Sequence, residues 1–139
     1  MGDVRAINKL ARKIRAEVVV LRFWPLRGKA SIRFLGYPDA AYRNNSDKTT
    51  QRGQCIFLAE ARRKGIVNVR GSLVDYESQK IKAAVQSTTV AELYAFMKCF
   101  DTCQFLRGLW MDVSAQAAEL HMRTDANNLV TTASTTHLP

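Results

Sequence analysis

The chain has 139 residues, of which 47% are hydrophobic and 24% are charged. This composition is ordinary for one globular domain and excludes the collagen-like and disordered classes. No apolar run approaches the roughly 20 residues of a membrane-spanning helix, and no signal-peptide pattern follows Met1. We therefore expect an intracellular protein, in the cytoplasm or nucleus, that is neither secreted nor bound to a membrane.

The net charge of +9 is concentrated near the N-terminus. Residues 1–34 hold nine of the 21 Lys and Arg residues but only two of the 12 acidic residues. Such asymmetry favours a polyanionic partner, either a nucleic acid or an anionic surface. The alternative is a solvated basic helix that only aids solubility, and charge alone leaves both interpretations open.

The cysteines are Cys55, Cys99 and Cys103, an odd number that favours reduced thiols over a disulfide scaffold. With His121 and His137 they form a conceivable zinc set, but the Cys-x-x-Cys spacing of structural zinc sites is missing. We therefore expect buried thiols.

Residues 1–29 are predicted to be a basic amphipathic helix and its connection to the rest of the chain. Apolar side chains recur at three- and four-residue spacing over residues 3–16, and the opposite side of this helix is basic. Residues 18–24 are β-branched and aromatic and predict a strand that stops at Pro25. The basic side supplies four candidates for nucleic-acid contact, namely Arg5, Lys9, Arg12 and Lys13.

Residues 30–139 are predicted to be a separate unit that begins with several strands. The first strand covers 30–37 and ends at Pro38-Asp39, and the polar stretch 43–53 is predicted to be a loop. Further strands are predicted over 55–59, 66–69 and 73–76, with a basic turn at 62–65. Short turns between successive strands imply an antiparallel meander.

The hydrophobic period then changes from two to between three and four. Residues 90–110 are predicted to be a long helix, and Thr89 and Glu92 match the capping-box pattern at its start. A strand over 118–124 and the first turn of another helix after Asp125 follow. The order of elements predicts an α/β fold in which a mixed sheet carries helical cover.

Three acidic residues stand at predicted element ends, namely Asp39, Glu92 and Asp125. Taken singly, each has an ordinary interpretation: Asp39 as a turn residue, Glu92 as part of the capping box and Asp125 as a helix cap. This architecture would bring their carboxylates together, and hard divalent cations prefer oxygen ligands. A metal site is therefore predicted.

Four segments around these residues resemble the ribonuclease H domain of Copia-type retrotransposon polyproteins. They are residues 35–42 (LGYPDAAY), 48–53 (KTTQRG), 86–95 (QSTTVAELYA) and 123–129 (RTDANNL), in the family's order. Residues 3–16 are similar to the segment that joins the reverse transcriptase to this domain in the family. The resemblance extends over nearly the whole chain.

The resemblance implies a ribonuclease H-like fold that cuts the RNA strand of an RNA–DNA hybrid with two Mg²⁺ ions, or with Mn²⁺ in their place. It implies that Asp39, Glu92 and Asp125 are both the catalytic residues and the metal ligands. The implied partners are the hybrid and the reverse transcriptase portion of the same polyprotein. Arg43, which directly follows the first motif, and Asn127, within the last one, are further candidates for nucleic-acid contact.

Two departures from the family pattern bear on activity. Ala41 stands where the family has a second Asp, and Pro38 replaces a small polar residue. The family's fourth acidic residue, last strand and closing helix would lie beyond Pro139, so residues 30–139 are expected to lack them. One alternative is therefore a truncated or decayed fragment that binds nucleic acid without catalysis. Another is a basic amphipathic helix that serves a membrane or protein partner.

Overall fold

The computed structural model of the protein describes residues 12–13, 15–16, 20–26, 31–61, 71–127 and 129. Four strands and one long helix lie within these ranges. They are β1 (Ser31–Ala41), β2 (Gln51–Ala61), β3 (Gly71–Lys80), α1 (Thr88–Ser114) and β4 (Ala118–Met122). No helix in the described part of the chain combines the length and apolar character needed to cross a membrane.

The strands form one mixed sheet in the order β3-β2-β1-β4. The first three strands pair in antiparallel fashion, whereas β4 pairs with β1 in parallel. These features confirm the predicted α/β class, with antiparallel first strands, a long helix and a further strand after it.

The core lies between α1 and one face of the sheet. Phe34 and Ile56 from the sheet and Cys99 and Cys103 from α1 are buried, and partly buried side chains such as Leu120 pack against them. Alternation along β1 explains this face, because Ile32, Phe34, Gly36 and Pro38 are buried while the residues between them are more exposed. The prediction of buried thiols is confirmed for Cys99 and Cys103 but wrong for the exposed Cys55, which pairs with Tyr37 on the other face of the sheet.

Two predicted boundaries in the first hairpin are wrong. The strand does not end at Pro38-Asp39 but continues to Ala41, and residues 51–53 belong to β2 rather than to a loop. Backbone pairing between strands requires no apolar side chains, so the polar residues of 51–53 pair with residues 39–41. Pro38 is tolerated because β4 pairs only as far as Gly36, which leaves β1 an edge on that side.

The predicted strand over 18–24 is wrong for the residues that the structure describes, because residues 20–26 belong to no strand or helix. The Trp24 N–H donates a hydrogen bond to the Ser72 hydroxyl at 2.8 Å, and the following Pro25 has no N–H to offer a sheet.

The helical residues 12–13 and 15–16 agree with the predicted N-terminal helix. The rest of 3–16, residues 18–19, the basic turn at 62–65 and the strand at 66–69 lie outside the described ranges.

Candidate metal centre

Three elements bring Asp39, Glu92 and Asp125 to one end of the sheet. Strand β4 is parallel to β1 and directly follows α1 in the chain. The helix therefore runs in the direction opposite to both strands and begins at the end of the sheet where β1 and β4 end. Asp39 lies near the end of β1, Glu92 in the second turn of α1, and Asp125 three residues after β4. The predicted convergence of the three acidic residues is therefore confirmed.

Each of the three residues offers a carboxylate oxygen, and these oxygens all lie within 4.8 Å of one another. Asp39 and Asp125 are exposed, and Glu92 is half-buried. Within the described ranges, this is the one group of three or more acidic, His or Cys residues close enough to hold a metal ion. The cluster can hold a metal ion, because carboxylate oxygens are the usual protein ligands of hard divalent cations.

The capping-box interpretation of Glu92 is wrong. The N-cap of α1 is Ser87, in an extended conformation with φ of −151°, and its hydroxyl accepts a hydrogen bond from the Val90 N–H at 3.3 Å. Since α1 begins at Thr88, Glu92 falls just beyond the first turn rather than at the position from which a side chain reaches back to the cap. The Glu92 carboxylate instead accepts a hydrogen bond from the Ala40 N–H on β1.

The environment of Glu92 disfavours its charged form. Burial raises the pKa of Glu92, and the negative charges of Asp39 and Asp125 raise it further, while the hydrogen bond from Ala40 acts in the opposite direction. Its Oε2 atom is buried and finds no hydrogen-bond donor among the described residues. A cation at this point would satisfy that oxygen and offset the repulsion among the three carboxylates.

A cavity of about 320 Å³ lies beside the carboxylates, between the start of α1 and the segment after β4. Glu92 and Asp125 contribute to its wall, as does Asn127, one of the predicted nucleic-acid contacts. At the start of the turn after β4, the Ala126 N–H donates to the Thr124 hydroxyl at 3.1 Å.

The predicted nucleic-acid contacts fall into two groups. Arg43 lies just after β1, so it is at the same end of the sheet as the carboxylates, and Asn127 is in the cavity wall beside them. Arg12 and Lys13 are exposed and helical. Arg5 and Lys9 lie outside the described residues.

Sequence reasoning did not identify Ser87 as the helix cap, nor did it single out Lys48 and Lys82. The signal for Ser87 was present, because Ser is a favoured N-cap residue, but Thr89 followed by Glu92 matched a stronger pattern. Lys48 and Lys82 are far apart in the sequence and come together only through the pairing of β2 with β3.

Comparison of the chain with protein-family models, with curated proteins and with solved structures finds no match.

Proposed function

We propose that this chain is a ribonuclease H-like nuclease domain that hydrolyses the RNA strand of RNA–DNA hybrids with Mg²⁺, or Mn²⁺ in its place. The observation that carries the proposal is the convergence of Asp39, Glu92 and Asp125 within 4.8 Å at the end of the mixed sheet. The four sequence motifs that resemble the Copia-type retrotransposon domain support the same assignment, because three of them contain these residues.

The residues present fit a hard divalent cation. Mg²⁺ binds oxygen ligands at close range, typically one or two protein carboxylates together with phosphate, and the three carboxylates offer oxygens within 4.8 Å of one another. The buried Oε2 of Glu92, which finds no donor in the described part of the chain, would gain a partner. When bound, the metal would lower the pKa of a coordinated water and stabilise the charge that develops on the phosphate.

The protein's own side chains would bind the cation and orient the substrate. Asp39 and Asp125 are exposed and can bind a cation from solvent, whereas Glu92 is held in place by the Ala40 N–H. The cavity beside them carries Thr88 and Asn127. Their hydroxyl and amide groups are suited to hydrogen bonds with a ribose 2′-hydroxyl or a phosphate oxygen, and the 2′-hydroxyl distinguishes RNA from DNA.

The partners in this proposal are the RNA–DNA hybrid and the reverse transcriptase portion of a Copia-type polyprotein. A second candidate is a nucleic-acid-binding fragment without catalysis. Ala41 favours it, because the Copia-type motif carries a second Asp at that position. Three carboxylates also provide few ligands for two ions.

Cleavage of a hybrid with labelled RNA tests the proposal. We expect the purified chain to cut the RNA strand in the presence of Mg²⁺ or Mn²⁺ and to leave duplex DNA intact. EDTA should abolish the cleavage. Asp39→Asn should lower the rate by at least about 100-fold, because a metal ligand contributes several kcal/mol of charge stabilisation. Asp101→Asn is the matched control, since Asp101 is an exposed carboxylate of α1 outside the cluster.

Three outcomes separate the candidates. Cleavage that persists in Asp39→Asn or in EDTA would contradict the metal centre. Salt-dependent hybrid binding with no cleavage in either metal would support the non-catalytic candidate. If Mg²⁺ raises the melting temperature of the wild type but not of Asp125→Asn, the cluster binds metal, whether or not the chain cleaves the hybrid.

A further inference from the structure

A cleft of about 570 Å³ lies between the β1–β2 turn and residues 81–86, the segment that joins β3 to α1. Three basic residues line it: Arg43 and Lys48 from the turn, and Lys82 from the facing segment. Among the residues described, no acidic side chain contributes to its wall. The cleft therefore concentrates positive charge in a concave surface, which favours an anionic ligand.

The acidic residue of the β1–β2 turn does not neutralise these charges. Asp47, in the same turn, forms an ion pair with Lys80 Nζ at 2.6 Å. It also accepts hydrogen bonds from the Thr49 hydroxyl at 2.6 Å and from the Thr49 N–H at 3.1 Å. These interactions keep the pKa of Asp47 well below its usual range, so Asp47 is ionised and already paired. Within the described ranges, Arg43, Lys48 and Lys82 form no ion pair.

Hydrogen bonds hold the two walls of the cleft together. The Ile81 N–H donates to the Thr50 carbonyl at 2.8 Å, and the Tyr42 hydroxyl donates to the Gln86 carbonyl at 3.0 Å. On the turn side, the Arg43 N–H donates to the Thr50 hydroxyl at 3.3 Å. A ligand thus meets a cleft that is already formed, and less ordering of the backbone opposes binding.

The cleft and the carboxylate cluster are neighbours. Gln86 is in the wall of the cleft, and Thr88, two residues later, is in the wall of the cavity beside Glu92 and Asp125. Three carboxylates alone would repel a polyanionic substrate. The three cations of the cleft would attract such a substrate and hold it across the carboxylate cluster.

We propose that this cleft binds the phosphodiester backbone of a nucleic-acid strand, with Arg43, Lys48 and Lys82 contacting phosphate oxygens. Basic side chains bind phosphates irrespective of base sequence, and Arg can do so through two parallel hydrogen bonds. The three cations come from two facing walls, Arg43 and Lys48 from the turn and Lys82 from residues 81–86, which fits a ligand with several phosphates better than a single one. A concave site also fits a strand better than the flat headgroup surface of a membrane. The choice of a nucleic acid as ligand rests on the proposed function, but its binding does not require catalysis.

Fluorescence anisotropy of a labelled RNA–DNA hybrid, measured with the full chain in EDTA, tests the cleft without cleavage. Lys48→Gln/Lys82→Gln should weaken binding by at least about tenfold at moderate salt. The slope of log affinity against log salt should fall by about 2, because two phosphate contacts are lost. Lys98→Gln is the matched control, since Lys98 is an exposed lysine of α1 outside the cleft.

Equal affinity of the wild type and Lys48→Gln/Lys82→Gln would overturn the proposal, as would an equal loss in Lys98→Gln. Competition by millimolar inorganic phosphate would also overturn it, because it would indicate a site for a single phosphate. Loss of binding to anionic phosphatidylserine vesicles, with hybrid binding unchanged, would assign the cations to a membrane instead. Hybrid binding in EDTA involves neither metal nor cleavage, so this measurement can be interpreted even if the nuclease proposal fails. Circular dichroism of each variant confirms that it is folded.

Discussion

The Glu92 carboxylate destabilises the metal-free folded protein when it is ionised. Its carboxylate is half-buried, lies close to the carboxylates of Asp39 and Asp125, and has one oxygen without a donor among the described residues. All of these features disfavour the ionised form, and the pKa of Glu92 is raised as a result. A group of this kind is more often part of a functional site than of a structural core.

The raised pKa of Glu92 sets the direction of a pH dependence. Between its ordinary value of 4.5 and its raised value, the folded protein retains a proton that the unfolded chain has released. The free energy of unfolding contributed by this group therefore falls as the pH rises through that window. Glu92→Gln removes the charge and should stabilise the metal-free protein at neutral pH relative to the wild type.

Urea denaturation in EDTA at several pH values measures this effect. The Gln side chain can still accept the hydrogen bond from Ala40, so the local contact is kept. Asp112→Asn, on an exposed part of α1, makes the same change in net charge and should not reproduce the stabilisation. A Glu92→Gln protein less stable than the wild type at neutral pH would show that the cluster is not electrostatically strained.

The contact between β1 and α1 depends on a glycine. Gly36 on β1 faces the buried thiols of α1, and a Cβ atom placed there would lie 2.9 Å from Cys103 Sγ and 3.0 Å from Cys99 Sγ. It would also lie 2.7 Å from Met122 Sδ on β4. The fully buried side chains of α1 are small, namely Ala91, Ala95, Cys99 and Cys103. Small residues on the helix and a glycine on the strand let the two elements approach closely.

Gly36→Ala should destabilise the protein by about 1–3 kcal/mol, because an added methyl group must displace packed sulfur atoms. Adding Cys103→Ala makes room and should recover part of the loss, so the two changes would be non-additive in a double-mutant cycle. Gly108→Ala is the control, since a Cβ atom there meets nothing within 4 Å. In the helix it should stabilise by about 0.5–1 kcal/mol. Purely additive effects of Gly36→Ala and Cys103→Ala would contradict this packing.

The sequence predicted the long helix, β1 and the convergence of the acidic residues, because these follow from the hydrophobic periodicity and from the order of the elements along the chain. Element boundaries were less accessible. Residues 51–53 are polar and were predicted as loop, yet they pair with the end of β1 because backbone hydrogen bonds are indifferent to side-chain polarity. The cleft lined by Lys48 and Lys82 depends on the register in which β2 pairs with β3, and the local sequence does not determine that register.

At the scale of the whole molecule, the apolar side chains of α1 are distributed unusually. Five large ones are 48–80% exposed and follow one another at four-residue intervals, with Asp101 at the one gap: Leu93, Met97, Phe105, Leu109 and Val113. A helix that is apolar on both sides is typical of a buried element. An exposed stripe of this size favours association with another apolar surface.

The stripe predicts that the purified chain associates as its concentration rises. Phe105 is 68% exposed, so Phe105→Lys should shift sedimentation velocity profiles towards the monomer. Its free energy of unfolding should change by no more than about 0.5 kcal/mol, as is usual for exposed positions. Gln104→Lys adds the same charge one residue away without removing apolar area, so it separates hydrophobic association from charge repulsion. If both variants dissociate the protein equally, added charge accounts for the effect and the stripe does not drive association.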